Sequence, residues 1–139
     1  NHSFYVDADF AKRDNRRNYL FSDNFVYARG YNAVPFSRIY RLGLNYQLPL
    51  CYPDVGLNWA YLLRIRLHLF GDYSQATLRP GIVSPGTYRS AGAALYFDTK
   101  WFNYLTLPIG VRYSRLLDRD YEEPARTSRL ELLLQLQLY

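Results

Sequence analysis

Long apolar runs are missing from this 139-residue sequence, and their absence excludes one class of membrane protein. The longest stretch without Asp, Glu, Lys or Arg runs from Leu42 to Pro53, whereas a membrane-spanning helix needs roughly 20 mainly apolar residues. Methionine is also absent, and the chain opens on Asn1. We therefore expect that this N-terminus arose by processing or truncation, and that a secretory signal would be lost in the same cut.

Cysteine is nearly absent and charge is dispersed, which argues against several other classes of protein. Cys51 has no second cysteine for an internal disulfide, and a single cysteine without a nearby cysteine or paired histidine is no metal motif. The net charge is +5, from 17 Lys and Arg against 12 Asp and Glu. Nucleic-acid binding requires basic residues clustered on one surface, but here they are spread through apolar segments. We expect no metal, no cofactor and no nucleic acid.

Apolar and polar residues are instead finely interleaved along the chain. Hydrophobic residues make up 49% of it and aromatic residues 18%, yet the mean hydropathy is only −0.30. The segment from Ser128 to Tyr139 shows the pattern most clearly, because Leu130 and every second residue to Leu138 are leucine. A helix would scatter these leucines around its circumference, so this alternation predicts a β-strand.

Five other segments alternate in the same way: 4–10, 38–50, 63–73, 90–101 and 105–114. The sequence therefore predicts an all-β, antiparallel fold of about six strands without a helix. The predicted connections alternate in length. Those at 51–56 and 102–104 are short, whereas those at 12–35, 75–87 and 117–127 are long and polar. Short turns at one rim and long loops at the other are typical of an outer-membrane β-barrel.

Two features favour lipid, rather than a protein core, against the apolar face. The polar face carries charges in successive strands: Arg41, Arg64, Arg66, Asp98, Lys100, Arg112 and Glu131. Aromatic residues gather near strand ends, as at a membrane interface: Tyr52, Trp59, Tyr61, Trp101, Phe102, Tyr104 and Tyr139. A soluble barrel with the apolar face inside is the alternative. The predicted strands also reach the roughly 9–11 residues of a tilted span, which favours a membrane barrel. In such a barrel we expect the charges to line the lumen.

Six strands cannot close into a barrel, and open edges in lipid would leave costly unpaired backbone groups. We therefore expect residues 1–139 to be the C-terminal part of one barrel domain, with its remaining strands in a missing N-terminal part. A small eight-stranded barrel that uses residues 19–27 for two extra strands is the alternative. The expected location is the bacterial outer membrane, in contact with membrane lipid and lipopolysaccharide.

Arg29-Gly30-Tyr31, in the long loop 12–35, carries a family resemblance. An Arg-Gly-aromatic motif in a long loop before the last five strands resembles the BamA/TamA-type superfamily, also called the bacterial surface antigen family. The residues from Leu42 to Leu50 look like the twelfth strand of that family, with its terminal proline. Those from Leu67 to Asp72 look like the thirteenth. The Tyr-rich strands and Leu-rich end also resemble barrels of Bacteroidetes-type bacteria.

The resemblance implies a sixteen-stranded barrel of which this chain covers strands eleven to sixteen. It also implies that the loop folds into the lumen and that Asp72 holds Arg29 there. The sequence departs from the family at Asn45, where many members have a glutamate that also faces the loop arginine. The resemblance further implies a relative of the factors that assemble or translocate outer-membrane proteins, one more diverged than the central assembly factor.

Other functional assignments are open at this point. Leu136, Leu138 and Tyr139 are a candidate C-terminal signal for barrel insertion, or else only the closing strand. A passive pore, or a structural barrel that docks a partner protein of the outer membrane, is the alternative function. An enzyme built on His68 and a nearby serine is disfavoured, because catalysis requires a nucleophile, a base and an orienting group to converge, so we predict no enzymatic activity.

Overall fold

The computed structural model describes residues 2–12, 27–32, 36–78, 86–102, 105–118, 126–134 and 137–138. Eight strands lie in these ranges: β1 (Ser3–Lys12), β2 (Phe36–Cys51), β3 (Val55–Leu57), β4 (Ala60–Leu78), β5 (Thr87–Trp101), β6 (Leu105–Leu116), β7 (Ser128–Leu134) and β8 (Gln137–Leu138). None of the described residues forms a helix long and apolar enough to cross a membrane.

All eight strands belong to one antiparallel sheet, which confirms the predicted all-β class. The main path runs β1-β2-β4-β5-β6-β7, while the short strands β3 and β8 pair with β4 and β6. Over the described ranges β1 and β7 are not paired with each other, so the sheet is open. Neighbours on the main path are also neighbours in sequence, apart from the brief β3, because alternating strands joined by hairpins form an antiparallel meander.

The strand boundaries differ from the predicted ones at three places. The chain turns at Asn58 and Trp59, between β3 and β4, rather than within 51–56. The strand β4 continues through the first residues of the predicted loop 75–87, with Gln75 opposite Thr87. The sequence did not predict this extension, because its outward-facing residues are polar and do not continue the apolar face of the strand. The predicted strand 128–139 divides into β7 and β8, and residues 135, 136 and 139 lie outside the described part.

Local irregularities accompany proline and charged positions. The pairing of β2 with β4 shifts register between Pro49 and Cys51, where proline lacks the N–H that a regular ladder needs. Two further shifts lie between Phe36 and Arg38 in the same pairing and between Leu62 and Arg64 in the pairing of β4 with β5. Such bulges increase the local twist of the sheet.

The two faces of the sheet differ in exposure and in chemistry. On one face Asn45, Ser74 and Ser114 are at most 1% exposed. On the other, Leu130 and Leu132 are 70% and 67% exposed. We call these the inner face and the outer face. The alternation of the two faces predicted from the sequence is therefore confirmed. The charged strand residues that were predicted to share one face all lie on the inner face.

A small apolar cluster covers the inner face at one end of the sheet. Its members come from residues 27–31 and from the ends of the strands nearest to the long connections. They are Tyr27, Ala28, Tyr31, Phe36, Ile39, Ala76, Tyr88 and Leu116. We call this end of the sheet the loop end, and the opposite end, which contains the turn at Asn58 and Trp59, the turn end.

Candidate functional site

Residues 27–32 of the long loop lie against the inner face at the loop end. The Tyr31 amide donates to the Ala28 carbonyl over 3.2 Å, which closes a tight turn. Gly30 has φ of +93°, in the region that disfavours side chains. A Cβ there would also lie 2.8 Å from Ser114 Cβ and 2.9 Å from Leu116 Cδ2. Only glycine fits this close approach of the loop to β6.

Arg29 and Asp72, the pair predicted from the sequence, lie in direct contact. The Arg29 Nε donates to Asp72 Oδ2 over 2.6 Å, and its Nη2 donates to Oδ1 over 2.8 Å. The Arg29 backbone N–H adds a third bond to Oδ2 at 3.0 Å. The side chains are 11% and 0% exposed. Arg29 Cζ also lies 4.0 Å from the centroid of the Phe70 ring, where the guanidinium is attracted by the ring quadrupole.

Asp72 is shared with a second arginine, Arg41 of β2. Arg41 Nη2 lies 3.2 Å from Asp72 Oδ1, and Nη1 lies 2.9 Å from Asp9 Oδ2. A Cβ on Gly43 would stand 2.9 Å from Asp72 Oδ1, so the glycine leaves room for this carboxylate. The group formed by Arg29, Arg41 and Asp72, which we call the Asp72 cluster, therefore joins the loop to β2 and β4.

Asn45 extends the Asp72 cluster with neutral polar groups. Its Oδ1 accepts from Arg29 Nη2 over 2.7 Å, and its Nδ2 donates to Asp7 Oδ2 over 2.8 Å. An amide thus faces the loop arginine at the position where the family resemblance implies a glutamate. His68 Nε2 lies 3.0 Å from Asn45 Oδ1 and 3.4 Å from the Tyr5 hydroxyl. His68 is part of this hydrogen-bonded network.

Tyr31 and Asn32 bind the loop to β5, to the segment that follows β6, and to β7. The Tyr31 hydroxyl lies 2.7 Å from the Arg89 carbonyl and accepts from the Asp118 amide over 2.9 Å. Its ring packs edge-on against Tyr88, with centroids 5.2 Å apart. Arg129 of β7 donates to Asn32 Oδ1 over 2.8 Å. Six residues of loop therefore touch strands from β2 to β7.

The inner face toward the turn end carries a second charged group, formed by Asp98, Arg64 and Arg66, which we call the Asp98 cluster. Arg64 Nε donates to Asp98 Oδ2, and Arg66 Nη2 donates to Oδ1 over 2.6 Å. Arg64 has a side chain 46% exposed. Clefts of about 380 and 510 Å³ open beside both arginines. This region is open, unlike the loop end.

The remaining predicted charges of the inner face are Arg112, Glu131 and Lys100. Glu131 accepts from Arg112 Nε over 2.7 Å and lies 3.2 Å from Arg129 Nε. Lys100 lies opposite Thr106, on the inner face beyond Asp98. Of the predicted C-terminal signal, Leu136 and Tyr139 lie outside the described residues, and Leu138 is placed only as a backbone position in β8.

The sequence did not predict a role at the loop for several residues that complete the site. Arg129 and the Ser74, Ser90 and Ser114 hydroxyls are examples; these three hydroxyls are buried and have no hydrogen-bond partner among the described residues. Small side chains at these positions let the loop approach the sheet, and alternation of small residues on the inner face is the only sequence signal for it.

Comparisons of the chain with protein-family models, with curated proteins and with solved structures find no match. Among the described residues no group of three or more His, Cys, Asp or Glu side chains is placed to hold a metal ion.

Proposed function

We propose that this chain is part of a transmembrane β-barrel of a bacterial outer membrane, with its outer face in lipid and its inner face toward the lumen. The observation that carries the proposal is the polarity of the sheet. Large apolar side chains cover the exposed face, including Leu42, Leu44 and Leu132 at 46%, 47% and 67% exposure. Soluble monomers rarely expose contiguous apolar surface of this kind, whereas lipid is a suitable environment for it.

The buried polar side chains support the same proposal. A soluble sheet buries its apolar face, and charged residues are almost never fully buried unless paired. Here the buried face contains Asp72, Asp98 and Arg41, each paired with an opposite charge. Such an arrangement suits a wet or loop-filled lumen.

Strand length is a further support. β2, β4, β5 and β6 contain 16, 19, 15 and 12 residues. A tilted span needs about 9–11 residues, whereas strands of globular proteins usually have about 5–6. These four strands are long enough to cross a bilayer.

Within this class, we propose a relation to barrels that assemble or translocate outer-membrane proteins. The support is the loop contact: an Arg-Gly-Tyr turn is bound to the inner wall by Asp72, a buried carboxylate of β4. A loop held this way fills part of the lumen and braces the wall from β2 to β7. The mechanism in this proposal is a hydrogen-bonded wall with a weak seam between the first and last strands of the barrel, through which a client would enter.

A passive pore or a partner-docking barrel is the second candidate. It is favoured by the open Asp98 cluster, whose clefts of about 380 and 510 Å³ are lined by Arg64 and Arg66. Single-channel conductance in planar bilayers separates the two functions, because an assembly factor with the loop in place should conduct poorly and a pore steadily.

Heat-modifiable gel migration of the protein from outer membranes tests the proposal, together with extraction by alkaline carbonate. We expect the wild type to stay with the membrane and to migrate faster before heating. Arg29→Ala should reduce the fast-migrating form, whereas Arg64→Ala should not, since Arg66 still pairs with Asp98. Release of the wild type by carbonate as a soluble protein would refute the membrane assignment.

The assembly function has a separate readout. Vesicles that contain the protein should speed the insertion of a second, unfolded outer-membrane barrel, and Arg29→Ala should lose that acceleration. Equal insertion into vesicles with and without the protein, accompanied by steady conductance, would favour the pore.

A further inference from the structure

Basic residues on the outer face occupy only one end of the sheet. Four Lys or Arg side chains point outward from the described strands: Lys12, Arg38, Arg89 and Arg115. Each lies within three residues of the loop end of its strand. Every other Lys or Arg of the described strands lies on the inner face. At the turn end the outer face carries aromatic and apolar residues such as Trp59 and Leu57 instead.

An aromatic layer lies directly beneath these basic residues, toward the middle of the sheet. Phe10, Tyr40 and Tyr113 stand two residues inward from Lys12, Arg38 and Arg115 on the same strands. They are 58%, 49% and 50% exposed. Aromatic rings with a basic layer above them match the depth profile of a membrane leaflet, in which rings lie at the interface and cations reach past it.

The positions of the basic residues along their strands also match the stagger expected of tilted strands. Arg38 lies four residues before Leu42, which shares a row of paired residues with Tyr73 and Arg89. Arg115 lies in the row of Leu44, two residues further along. From β2 to β6 the level therefore steps by about two residues per strand, close to the stagger of strands tilted by roughly 45°. Arg38, Arg89 and Arg115 thus lie at about one depth, and Lys12 lies directly opposite Arg38.

Lys12 and Arg38 are the strongest pair in this layer. They are directly opposed across β1 and β2, and both are exposed. Like charges directly opposed destabilise a sheet, and no carboxylate of the described strands points to the outer face. Arg89, in contrast, is paired with Asp118. An anion between Lys12 and Arg38 would convert their repulsion into two favourable contacts.

An apolar groove of about 380 Å³ lies immediately below this pair. Phe10, Tyr40, Leu42 and Tyr73 contribute to its lining, and the Phe10 and Tyr40 rings are 4.9 Å apart between centroids. A cationic pair above an apolar groove is complementary to a lipid with a phosphate headgroup above an acyl chain.

We propose that Lys12 and Arg38 bind the phosphate of a phosphorylated lipid in the loop-side leaflet, with an acyl chain in the groove of Phe10, Tyr40 and Tyr73. This inference rests on the proposed membrane location. It adds a lipid class, a leaflet and a site to that location. The asymmetry of the outer face is then a consequence of two leaflets with different headgroups.

The test is binding of bisphosphorylated lipid A to the purified protein in neutral detergent, followed by native mass spectrometry. Lys12→Gln combined with Arg38→Gln should weaken binding roughly thirty-fold, since a basic residue at an anionic surface contributes about 1 kcal/mol. The charge-conserving variant with Lys12→Arg and Arg38→Lys should bind like the wild type. The same lipid without phosphate should bind weakly to all variants.

A matched control removes the same charge elsewhere. Arg64→Gln with Lys100→Gln takes two cations from the inner face and should leave binding unchanged. Equal loss in both double variants, or none in the outer one, would overturn the site. Displacement by inorganic phosphate as effective as by the lipid would also overturn it, because the groove would then contribute nothing. Heat-modifiable migration of each variant separates this outcome from failure of the membrane assignment itself.

Discussion

The two charged clusters of the inner face have the same composition and different surroundings. In each, one aspartate of the sheet is shared by two arginines: Asp72 by Arg29 and Arg41, and Asp98 by Arg64 and Arg66. The Asp72 cluster lies under the loop with its carboxylate fully buried, whereas the Asp98 cluster opens into clefts. Electrostatic attraction strengthens as water is excluded, so position in the fold determines what the same three groups contribute.

The origin of the arginines adds to this difference. Arg64 and Arg66 belong to β4, whose pairing with β5 already brings them beside Asp98. Arg29 comes from a loop 43 residues away in sequence from Asp72. The pairing of β4 with β5 therefore does not depend on the Asp98 cluster. The Asp72 cluster, in contrast, holds residues 27–32, which are not part of a strand. We expect the loop to depend on Asp72.

Removal of each aspartate tests the comparison directly and should give the largest effect. Asp72→Ala leaves Arg29 buried without its carboxylate and Arg41 with Asp9 alone, and loss of one partner from a buried pair costs about 3–5 kcal/mol. Asp98→Ala leaves arginines that water can reach, so its cost should be about 1 kcal/mol. Denaturant unfolding of both variants in lipid vesicles measures the difference, and equal destabilisation would remove the distinction between the clusters.

Substitution of Gly30 tests whether the Asp72 cluster depends on the close approach of the loop to β6. Gly30→Ala places a Cβ 2.8 Å from Ser114 Cβ at φ of +93°, and overpacking of this kind costs about 1–3 kcal/mol. Gly71→Ala is the matched control, because a Cβ there meets no atom within 4 Å. Protease cleavage of residues 12–35 should increase in the first variant only; unchanged cleavage would show that the loop tolerates displacement.

The hydroxyl of Tyr31 offers a smaller test on the far side of the loop. Tyr31→Phe removes bonds to the Arg89 carbonyl and the Asp118 amide, which should cost about 0.5–1.5 kcal/mol. Tyr113→Phe removes a hydroxyl from the exposed outer face and should be neutral. Unfolding midpoints of the two variants provide the measurement. Equal midpoints would mean that the Tyr31 hydroxyl does not contribute to holding the loop.

The smallest expected effect concerns pH at the connection that follows β6. Hydrogen bonds from Arg89 hold the pKa of the Asp118 carboxyl below its ordinary value. Stabilisation from this pair is therefore complete above the unfolded pKa of about 3.9 and is lost as pH falls through the lower folded pKa. The Arg89 amide, which donates to Asp118 over 2.8 Å, should lose exchange protection in that acidic range.

Asp118→Asn is the control for the pH experiment, because its neutral amide does not titrate. Protection of the Arg89 amide in this variant should not change across the acidic range. The wild type should approach it below the folded pKa. A wild type that loses protection well above pH ~4 would contradict the assignment, since an Asp with an ordinary or lowered pKa is ionised there.

Much of this arrangement could be read from residue order, because alternation has a fixed geometric meaning. Arg41, Arg64, Arg66, Asp98 and Arg112 are placed on one face by parity alone. The pairing of Arg29 with Asp72 was predicted from a resemblance in motif position, and the contact is present. The contact of Arg129 with Asn32 was not predicted, because parity places a residue on a face but not beside a particular loop residue.

Residue order by itself determined the all-β class, the two faces of the strands and the face on which each charge lies, since a pleated strand turns successive side chains to opposite sides. The tertiary structure decided which arginines became buried. Asp72 and Asp98 are both buried, but residues 27–32 return across the sheet over the first cluster, where Arg29 and Arg41 are 11% and 7% exposed. Arg64 and Arg66 of the second cluster are 46% and 21% exposed. That return depends on contacts between residues far apart in the chain, which no local pattern contains.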